Sequence, residues 1–287
     1  MKIYRFFYYL GGKIMKFEKY HGLGNDFIIV EKEEIGANLK YSELAKDICN
    51  RNVGIGADGL IIAATDESNN NEMIFYNADG TFDTMCGNGF RCFCLYLRNH
   101  NLINREELKI RTGAGILKAQ IISDNPFMVK VNMGKEEYHH ETIKFDSKNE
   151  LFNKKIMVED KEFFITSLFM GTTHTVVFVE DISNEFVEKY GSLINDLEFF
   201  PIDTSVNFCK LEKGKLKIKT WERGVGLTLA CGTGSCSAAI VAKRLGLVGD
   251  HVVVKHLLGE LEIELKEDVY MIGTGVKIAS GDFNLKI

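Results

Sequence analysis

Proline is almost missing from this chain, with 2 in 287 residues. That excludes Pro-rich linkers and polyproline segments. Turns and close backbone approaches must rest on glycine instead, of which there are 27. No apolar run approaches the ~20 residues that a membrane-spanning helix needs, so no membrane partner is expected. An excess of positive charge is missing too. The formal charge of -5 gives no reason to expect nucleic acid or an anionic surface as partner. Disorder is excluded by 45% hydrophobic and 26% charged residues. The length suits two domains of ordinary size or one large one.

Close Cys-x2-Cys pairs are also absent. The spacings Cys86-x5-Cys92-x-Cys94 and Cys231-x4-Cys236 are unlike those of structural zinc. The 7 histidines show no ligand spacing, so no metal is expected. Cysteine itself is plentiful at 7, an odd number that argues against a disulfide framework and for reduced thiols in a cytoplasmic protein. The opening Met1-Lys-Ile-Tyr-Arg-Phe-Phe-Tyr-Tyr-Leu10 lacks a small-residue cleavage site, which argues against a signal peptide. Patterned sequence begins at Met15, so residues 1–14 are read as an extension and Met15 as the natural start.

Short apolar and β-branched runs dominate: Phe27–Val30, Leu60–Ala63, Glu72–Tyr76, Leu108–Arg111, Met128–Asn132, Thr175–Val179, Leu216–Thr220, Val252–Val254 and Leu261–Leu265. Several alternate apolar with polar residues, as half-buried strands do. Helical patterns are fewer. They cover Tyr41–Cys49, Ser183 to about Tyr190 with Ser183 as cap, Gly87 to about Leu97, and Gly232 to about Leu245.

The last two helices open on near copies of one motif. Met85-Cys-Gly-Asn-Gly-Phe-Arg-Cys92 and Ala230-Cys-Gly-Thr-Gly-Ser-Cys236 each place Cys-Gly-x-Gly between a strand and a helix, with the first cysteines 145 residues apart. A duplicated α+β unit, one copy per half, explains this. The hinge is expected between Ser123 and Met133, where Ser-Asp-Asn-Pro precedes another strand.

A cysteine in the first turn of a helix sits among backbone N–H groups that have no partner within the helix. Those donors and the helix dipole favour thiolate and can hold a carboxylate alongside. A thiol of pKa ~8.5 is only a few per cent ionised at neutral pH. A dipole effect of about 0.3–2 kcal/mol lowers that pKa by roughly 0.2–1.5. This yields a usable base without ionising both sulfurs. One thiol and one thiolate on opposite faces of an α-carbon could move its proton from one side to the other. The backbone of Gly87-Asn88 and Gly232-Thr233 could then hold the α-carboxylate as carbanion charge develops.

The blander readings are also definite. Cys49, Cys94 and Cys209 are read as small core hydrophobes, and Cys92 and Cys236 as inward-packing. Gly54-Ile-Gly56-Ala-Asp-Gly59 matches G-x-G-x-x-G, but a strand follows where a dinucleotide site needs a helix. His21 and His174 are read either as hydrogen-bonding site residues or as satisfied core residues. Other functional classes considered are a pyridoxal-phosphate racemase, for which no lysine stands in a recognisable motif, and a thiol redox or zinc module.

With His21-Gly-Leu-Gly-Asn-Asp-Phe27, Tyr76-Asn-Ala-Asp-Gly80, Met85-Cys-Gly-Asn-Gly89 and Trp221-Glu-Arg-Gly-Val-Gly226 leading to Ala230-Cys-Gly-Thr-Gly234, the chain resembles the diaminopimelate epimerases from Met15 onward. The resemblance implies an α+β protein of two pseudo-symmetric α/β domains, each a curved, mostly antiparallel sheet around a central helix. The active site would lie in the interdomain cleft. Residues 15–131, completed by 274–287, would form the first domain, and 132–273 the second. The implied enzyme is an isomerase with no cofactor, interconverting L,L- and meso-diaminopimelate, a small-molecule amino-acid substrate, for lysine and peptidoglycan synthesis, with a homodimer as a candidate assembly.

Residue by residue, the resemblance makes Cys86 and Cys231 the acid/base pair. Gly87, Asn88, Gly232 and Thr233 would hold the reacting end, and Asn25 and Asn77 would contact substrate. Glu222 would face an ammonium and Arg223 the distal carboxylate; the alternative is a solvated Glu-Arg pair before a turn. Three positions depart from the family pattern. Thr172 and Ser205 stand where substrate-binding asparagines are usual, and Leu227 stands where a glutamate is. The two hydroxyls retain hydrogen-bonding capacity toward a carboxylate, directly or through water. The same departures would suit a racemase of another amino acid, such as histidine.

Overall fold

The computed structural model describes residues 14–36, 39–68, 70–103, 107–144 and 150–285. The N-terminal extension lies outside the described residues apart from Ile14, and with it the question of Met1 or Met15 as start. The chain divides into two compact units, residues 1–117 with 275–287 and residues 118–274.

In the first unit β1 (Ile14–Gly22) pairs antiparallel with β2 (Asn25–Glu31) and, on its other side, with β18 (Val276–Asn284). From β2 the chain crosses through α1 (Tyr41–Cys49) to β3 (Gly59–Thr65), which runs parallel to β2. β4 (Asn71–Asn77) returns antiparallel to β3 and carries β5 (Phe82–Asp83) and β6 (Glu107–Thr112). Between β5 and β6 lies α2 (Gly87–Asn99). β2 from Phe27 to Val30 and β3 from Leu60 to Ala64 are continuously apolar because helices cover both faces of the sheet. Ile28, Val30, Leu60 and Ile62 share a core with Leu44, Ala45, Ile48 and Cys49 of α1. The opposite face receives α2 so closely that a Cβ on Gly89 would stand 3.2–3.4 Å from Ile61, Met73 and Phe27.

The second unit repeats this course. β7 (Gly115–Asp124) and β8 (Phe127–Gly134) form a hairpin, and β9 (Lys154–Val158) and β10 (Lys161–Phe169) form another. β10 lies antiparallel to β11 (Thr173–Phe178), and α3 (Asn184–Asn195) crosses to β12 (Ser205–Glu212), parallel to β11. β13 (Lys215–Glu222) returns antiparallel and carries β14 (Gly226–Thr228). Then come α4 (Gly232–Arg244), β15 (His251–His256) parallel to β13, β16 (Gly259–Leu265) and β17 (Val269–Gly273). α2 and α4 each have 13 residues and each start immediately after a cysteine. The duplication seen in one short motif therefore extends to whole units. It is the α+β architecture expected, with mixed rather than purely antiparallel pairing at each crossover.

Several boundaries differ from expectation. Asp124, Asn125 and Pro126 do not form a hinge; they are the turn of the β7–β8 hairpin, which belongs wholly to the second unit from Ala119 onward. β8 pairs with β17, Val131 opposite Met271, so a division at residue 131 would cut a strand from its partners. The units part at residue 117 instead, and 275–287 groups with the first. α3 runs on to Asn195 because fully buried Ile194 continues the face of Val187 and Tyr190. Ser183 caps it as expected, accepting the Phe186 N–H at 3.3 Å. The unforeseen strands include β18, an edge whose residues are nearly all exposed and carry no alternation to read.

The glycines of the G-x-G-x-x-G match close the turn after α1. Gly54 N–H donates to Asn50 O at 2.9 Å. A Cβ there would fall 2.2 Å from Asp47 O and 2.7 Å from Ile48 O, backbone atoms that cannot move aside. Gly54→Ala is expected to lower unfolding free energy by about 2 kcal/mol or more. Urea denaturation checks this, and an unchanged midpoint would contradict the close approach.

Candidate active site

Both motif cysteines stand at a helix N-cap, one residue ahead of the first-turn position expected. Cys86 adopts φ -132, ψ 114, and its Sγ accepts the Gly89 N–H at 3.5 Å. Cys231 adopts φ -122, ψ 116, and its Sγ accepts the Gly234 N–H at 3.4 Å. Sulfur thus takes the role that a Ser, Thr, Asp or Asn oxygen usually fills, facing donors the helix cannot satisfy internally. Neither helix carries an acidic residue in its first turn, so nothing there competes with a bound anion for the dipole. Glycine is required at the donor position of the second copy. A Cβ on Gly234 would lie 2.2 Å from Asn207 Oδ1 and 3.2 Å from Cys231 Sγ.

The surroundings of the two sulfurs differ. Cys86 is half-buried and faces Asn25 Oδ1 at 3.9 Å. Asn25 opens β2 after a turn in which Leu23 and Gly24 have φ of 56 and 89, closed by the Gly24 N–H donating to His21 Nδ1 at 3.2 Å. Its amide is engaged at both ends: Nδ2 donates to Asp58 Oδ2 at 2.6 Å, and Oδ1 accepts Asn88 Nδ2 at 3.1 Å. Behind Asn88 lies Arg91, wholly buried, which donates to Asn88 Oδ1 at 2.8 Å and to Gly87 O at 3.2 Å. Asp26, beside Asn25, is bonded by Arg51 and Lys19. Burial pushes its carboxyl up, but these two cations outweigh burial and hold it below the usual carboxylate range.

Cys231 is buried, with Thr233 Oγ1 at 3.5 Å from its sulfur. Thr233 Oγ1 lies 2.9 Å from His174 Nε2, and Asn207 Nδ2 lies 3.1 Å from His174 Nδ1. The Asn207 amide is oriented by carbonyls of Thr175 and Ser205, each 3.3 Å from Nδ2, and by the Thr220 hydroxyl donating to Oδ1 at 2.9 Å. Asn207 therefore donates to Nδ1, the imidazole proton sits on Nε2, and Thr233 receives it and turns its own hydrogen toward Cys231. Burial, with the charge of Arg223 adding to it, brings the His174 pKa down to about 3. The ring is accordingly neutral at ordinary pH. Of the two readings of this histidine both hold: it is a satisfied core residue, and it touches the site.

The remaining expected residues fall as follows. Asn77 and Glu222 end the equivalent strands β4 and β13, and Asn77 Nδ2 donates to Thr81 Oγ1 at 3.1 Å. Arg223 is exposed, with Nη1 3.4 Å from Ile202 O. Ser205 is buried, and its Oγ accepts the Arg223 N–H at 3.1 Å. Thr172 lies in the turn between β10 and β11, where Gly171 has φ 75. Leu227 packs with Trp221 against the second unit's core. Asp58, Arg91, Asn207 and Thr220 escaped sequence reasoning. The sole cue was a polar residue inside an otherwise apolar strand, as in Ser205-Val-Asn-Phe-Cys209.

Cys49, Cys92, Cys94, Cys209 and Cys236 are all buried. Burial raises the Cys49 thiol to about 12 and pushes Cys92, Cys94 and Cys209 up as well. Among the described residues no three of His, Cys, Asp and Glu converge as metal ligands. No described helix is long and apolar enough to cross a membrane.

A family profile described as diaminopimelate epimerase matches residues 17–139 and 166–278. The chain is 40% identical over 276 residues to the diaminopimelate epimerase of Clostridium perfringens, covering 94% of this chain and 99% of that one. It is likewise 40% identical over 276 residues to that of Halothermothrix orenii, covering 93% and 97%. Among solved structures, a hydroxyproline epimerase from Agrobacterium vitis superposes with TM-score 0.72 at 16% identity, covering 95% of this chain and 93% of that one. A phenazine biosynthesis protein of the PhzF family from Bacillus anthracis gives 0.70 at 16% identity, covering 94% and 99%. At that identity these two structures speak for the fold alone.

His174 sets a direction for stability against pH. Its pKa falls from 6.5 unfolded to about 3 folded, so between those values the unfolded chain binds the extra proton. Stability is then full above about pH 6.5 and declines as pH drops toward about 3. Asp26 adds to the loss at the acidic end, since its folded pKa is depressed. Urea midpoints should fall between pH 7 and pH 5, and His174→Gln should flatten that fall. An equal fall in the variant would refute the assignment.

Proposed function

The chain belongs to the diaminopimelate epimerase family, and from that premise we propose that it moves one α-proton of diaminopimelate between Cys86 and Cys231. The reaction interconverts the L,L and meso forms, an isomerisation that serves lysine and peptidoglycan synthesis. One observation carries the mechanism: two sulfurs, in two copies of one unit, each capping the start of its own buried helix. The reading requires one sulfur on each face of the reacting carbon. The thiolate takes the proton as the C–H pair passes onto the α-carbon, and the thiol on the other face delivers its own proton to that pair. Configuration inverts, and the two sulfurs exchange protonation states.

Carbanion charge spreads into the α-carboxylate, which the backbone donors of Gly87-Asn88 and Gly232-Thr233 would stabilise. Asn25 and Asn77 would contact substrate, Glu222 its ammonium and Arg223 its distal carboxylate through the planar donor fork. Thr172 and Ser205 complete the proposed pocket. Ser205 would act there chiefly through Arg223, whose N–H its oxygen accepts. Leu227, partly buried against the second unit's core, supplies no polar group where the family glutamate stands, so recognition of the substrate would rest on the other residues. The amino-acid substrate is the only partner the reaction needs, and the proposal includes catalysis without a cofactor, a cytoplasmic location and a homodimer.

A racemase of another amino acid remains the rival, since Thr172 and Ser205 replace amides. Purified protein should epimerise L,L-diaminopimelate and leave L-histidine unchanged; the reverse result overturns the substrate. In heavy water the product should carry deuterium at the α-position, and an unlabelled product excludes exchange through thiols. Cys86→Ala and Cys231→Ala should each lower turnover by about 10³-fold or more, while Cys92→Ala should chiefly reduce stability. A fully active variant of either motif cysteine would refute the pair.

A further inference from the structure

A side-chain amide has nearly the same shape either way round, but its two ends have opposite hydrogen-bonding sense. In the first unit two such amides stand in series next to Cys86, and each end of the series is closed by a group of one sense only. Arg91 can only donate, and its Nη2 lies 2.8 Å from Asn88 Oδ1. That orients Asn88 Nδ2 toward Asn25 Oδ1, at 3.1 Å. An ionised Asp58 can only accept, and its Oδ2 lies 2.6 Å from Asn25 Nδ2. Asp58 is itself held by Arg51 Nη2 on Oδ1 at 2.8 Å and by the Asp26 N–H on Oδ2 at 3.0 Å. Reversing the Asn88 amide would set N–H against guanidinium N–H. Reversing that of Asn25 would set carbonyl against carboxylate. Both reversals put like dipole ends together at hydrogen-bond distance, the first at the buried Asn88–Arg91 pair and the second at the more exposed Asn25–Asp58 pair.

We propose that Asp58, with Arg91 at the far end of the series, is a positioning residue that keeps the Asn25 carbonyl turned toward Cys86. The carbonyl, 3.9 Å from the sulfur, accepts the S–H and so favours the thiol form of Cys86. Cys231 is served differently, since the Thr233 hydroxyl that faces it can donate. The two sulfurs of a duplicated motif are thereby given unequal proton affinity by uncharged groups, whose sense is set at a distance by charged ones. Besides Asp58, the charged groups on the surrounding elements are Arg91 from α2, Lys19 from β1, Asp26 from β2 and Arg51 from the segment after α1. The inference rests on Cys86 being one of the two proton-carrying thiols.

Alkylation by iodoacetamide across a pH series, resolved by peptide mass spectrometry at Cys86 and Cys231, tests this without substrate. With Asn88→Ala in place to remove the donor that Arg91 orients, Asp58→Asn supplies an end that can donate as well as accept, so the Asn25 amide can turn. Cys86 should then alkylate about 10-fold faster at neutral pH, equivalent to a midpoint lower by about one, with Cys231 unchanged. Asp58→Glu keeps the acceptor-only end and should stay within about threefold of the native rate. In an Asn25→Ala background Asp58→Asn should add nothing, because the effect passes through that amide. A full additional effect there would assign the change to charge acting through space and overturn the proposal. So would equal acceleration at both cysteines, which marks general loosening. If Asp58→Asn fails to fold, Asn25→Ala alone decides: Cys86 should accelerate and Cys231 should not, and an unchanged Cys86 overturns the proposal. Failure to epimerise diaminopimelate would count against the substrate and leave this readout intact.

Discussion

The structure turns on a hydrogen bond from a backbone N–H to a sulfur three residues before it, made once in each half of the chain. It fixes the sulfur at the positive end of a helix, where the dipole favours an anion. The rest of each unit reads as what this contact demands. Glycines surround the cap because the sheet beneath approaches too closely for a Cβ. Each helix is buried along nearly its whole length, so its start cannot shift without disturbing the sheet that cradles it. Outer helices α1 and α3 then cover the reverse faces of the two sheets.

Duplication supplied two similar caps, and divergence beneath them made the caps unequal. Under α2 the sheet offers Phe27, Ile61 and Met73, an apolar bed. Under α4 it offers His174, Asn207 and Thr220, a closed polar network in which every hydrogen has a direction. An apolar bed can only disfavour charge on a sulfur above it, whereas an oriented network can favour one protonation state over the other. In the first unit the polar groups lie beside the cap instead of beneath it, in Asn25, Asn88 and Arg91. The same motif thus meets its electrostatic surroundings from two different sides.

Much of this was legible in the residues. Cys-Gly-x-Gly twice, each before an apolar helical stretch, predicts both helix starts and the duplication, and the short apolar and alternating runs predict many of the strands. The edge strand β18 was not legible, because a strand exposed nearly throughout has no pattern of burial to print on its sequence. The β7–β8 turn reads as a boundary in the sequence because a turn signal looks the same within a unit as between two. Asp58 and Arg91 escaped for another reason. Their importance lies in which way a neighbour's amide faces, a property of three-dimensional contact that composition and spacing do not encode. Asn207 gives a weak sign, as a polar residue within Val206-Asn-Phe-Cys209, whereas Thr220 follows the alternating Lys215-Leu-Lys-Ile-Lys219 and gives none.

The pairing of β1 with β18 has a consequence for the order in which the molecule can be completed. β1 is among the first segments made and β18 among the last, yet they are neighbours from Ile14 opposite Asn284 to His21 opposite Val276. Leu285, just beyond, closes the core that contains Met15 and Phe17. The second unit, by contrast, is one uninterrupted stretch of chain. During synthesis it has all its strands before the first unit has its last one. Order along the chain alone lets the second unit gather all its strands while β1 still waits for the partner on its other side.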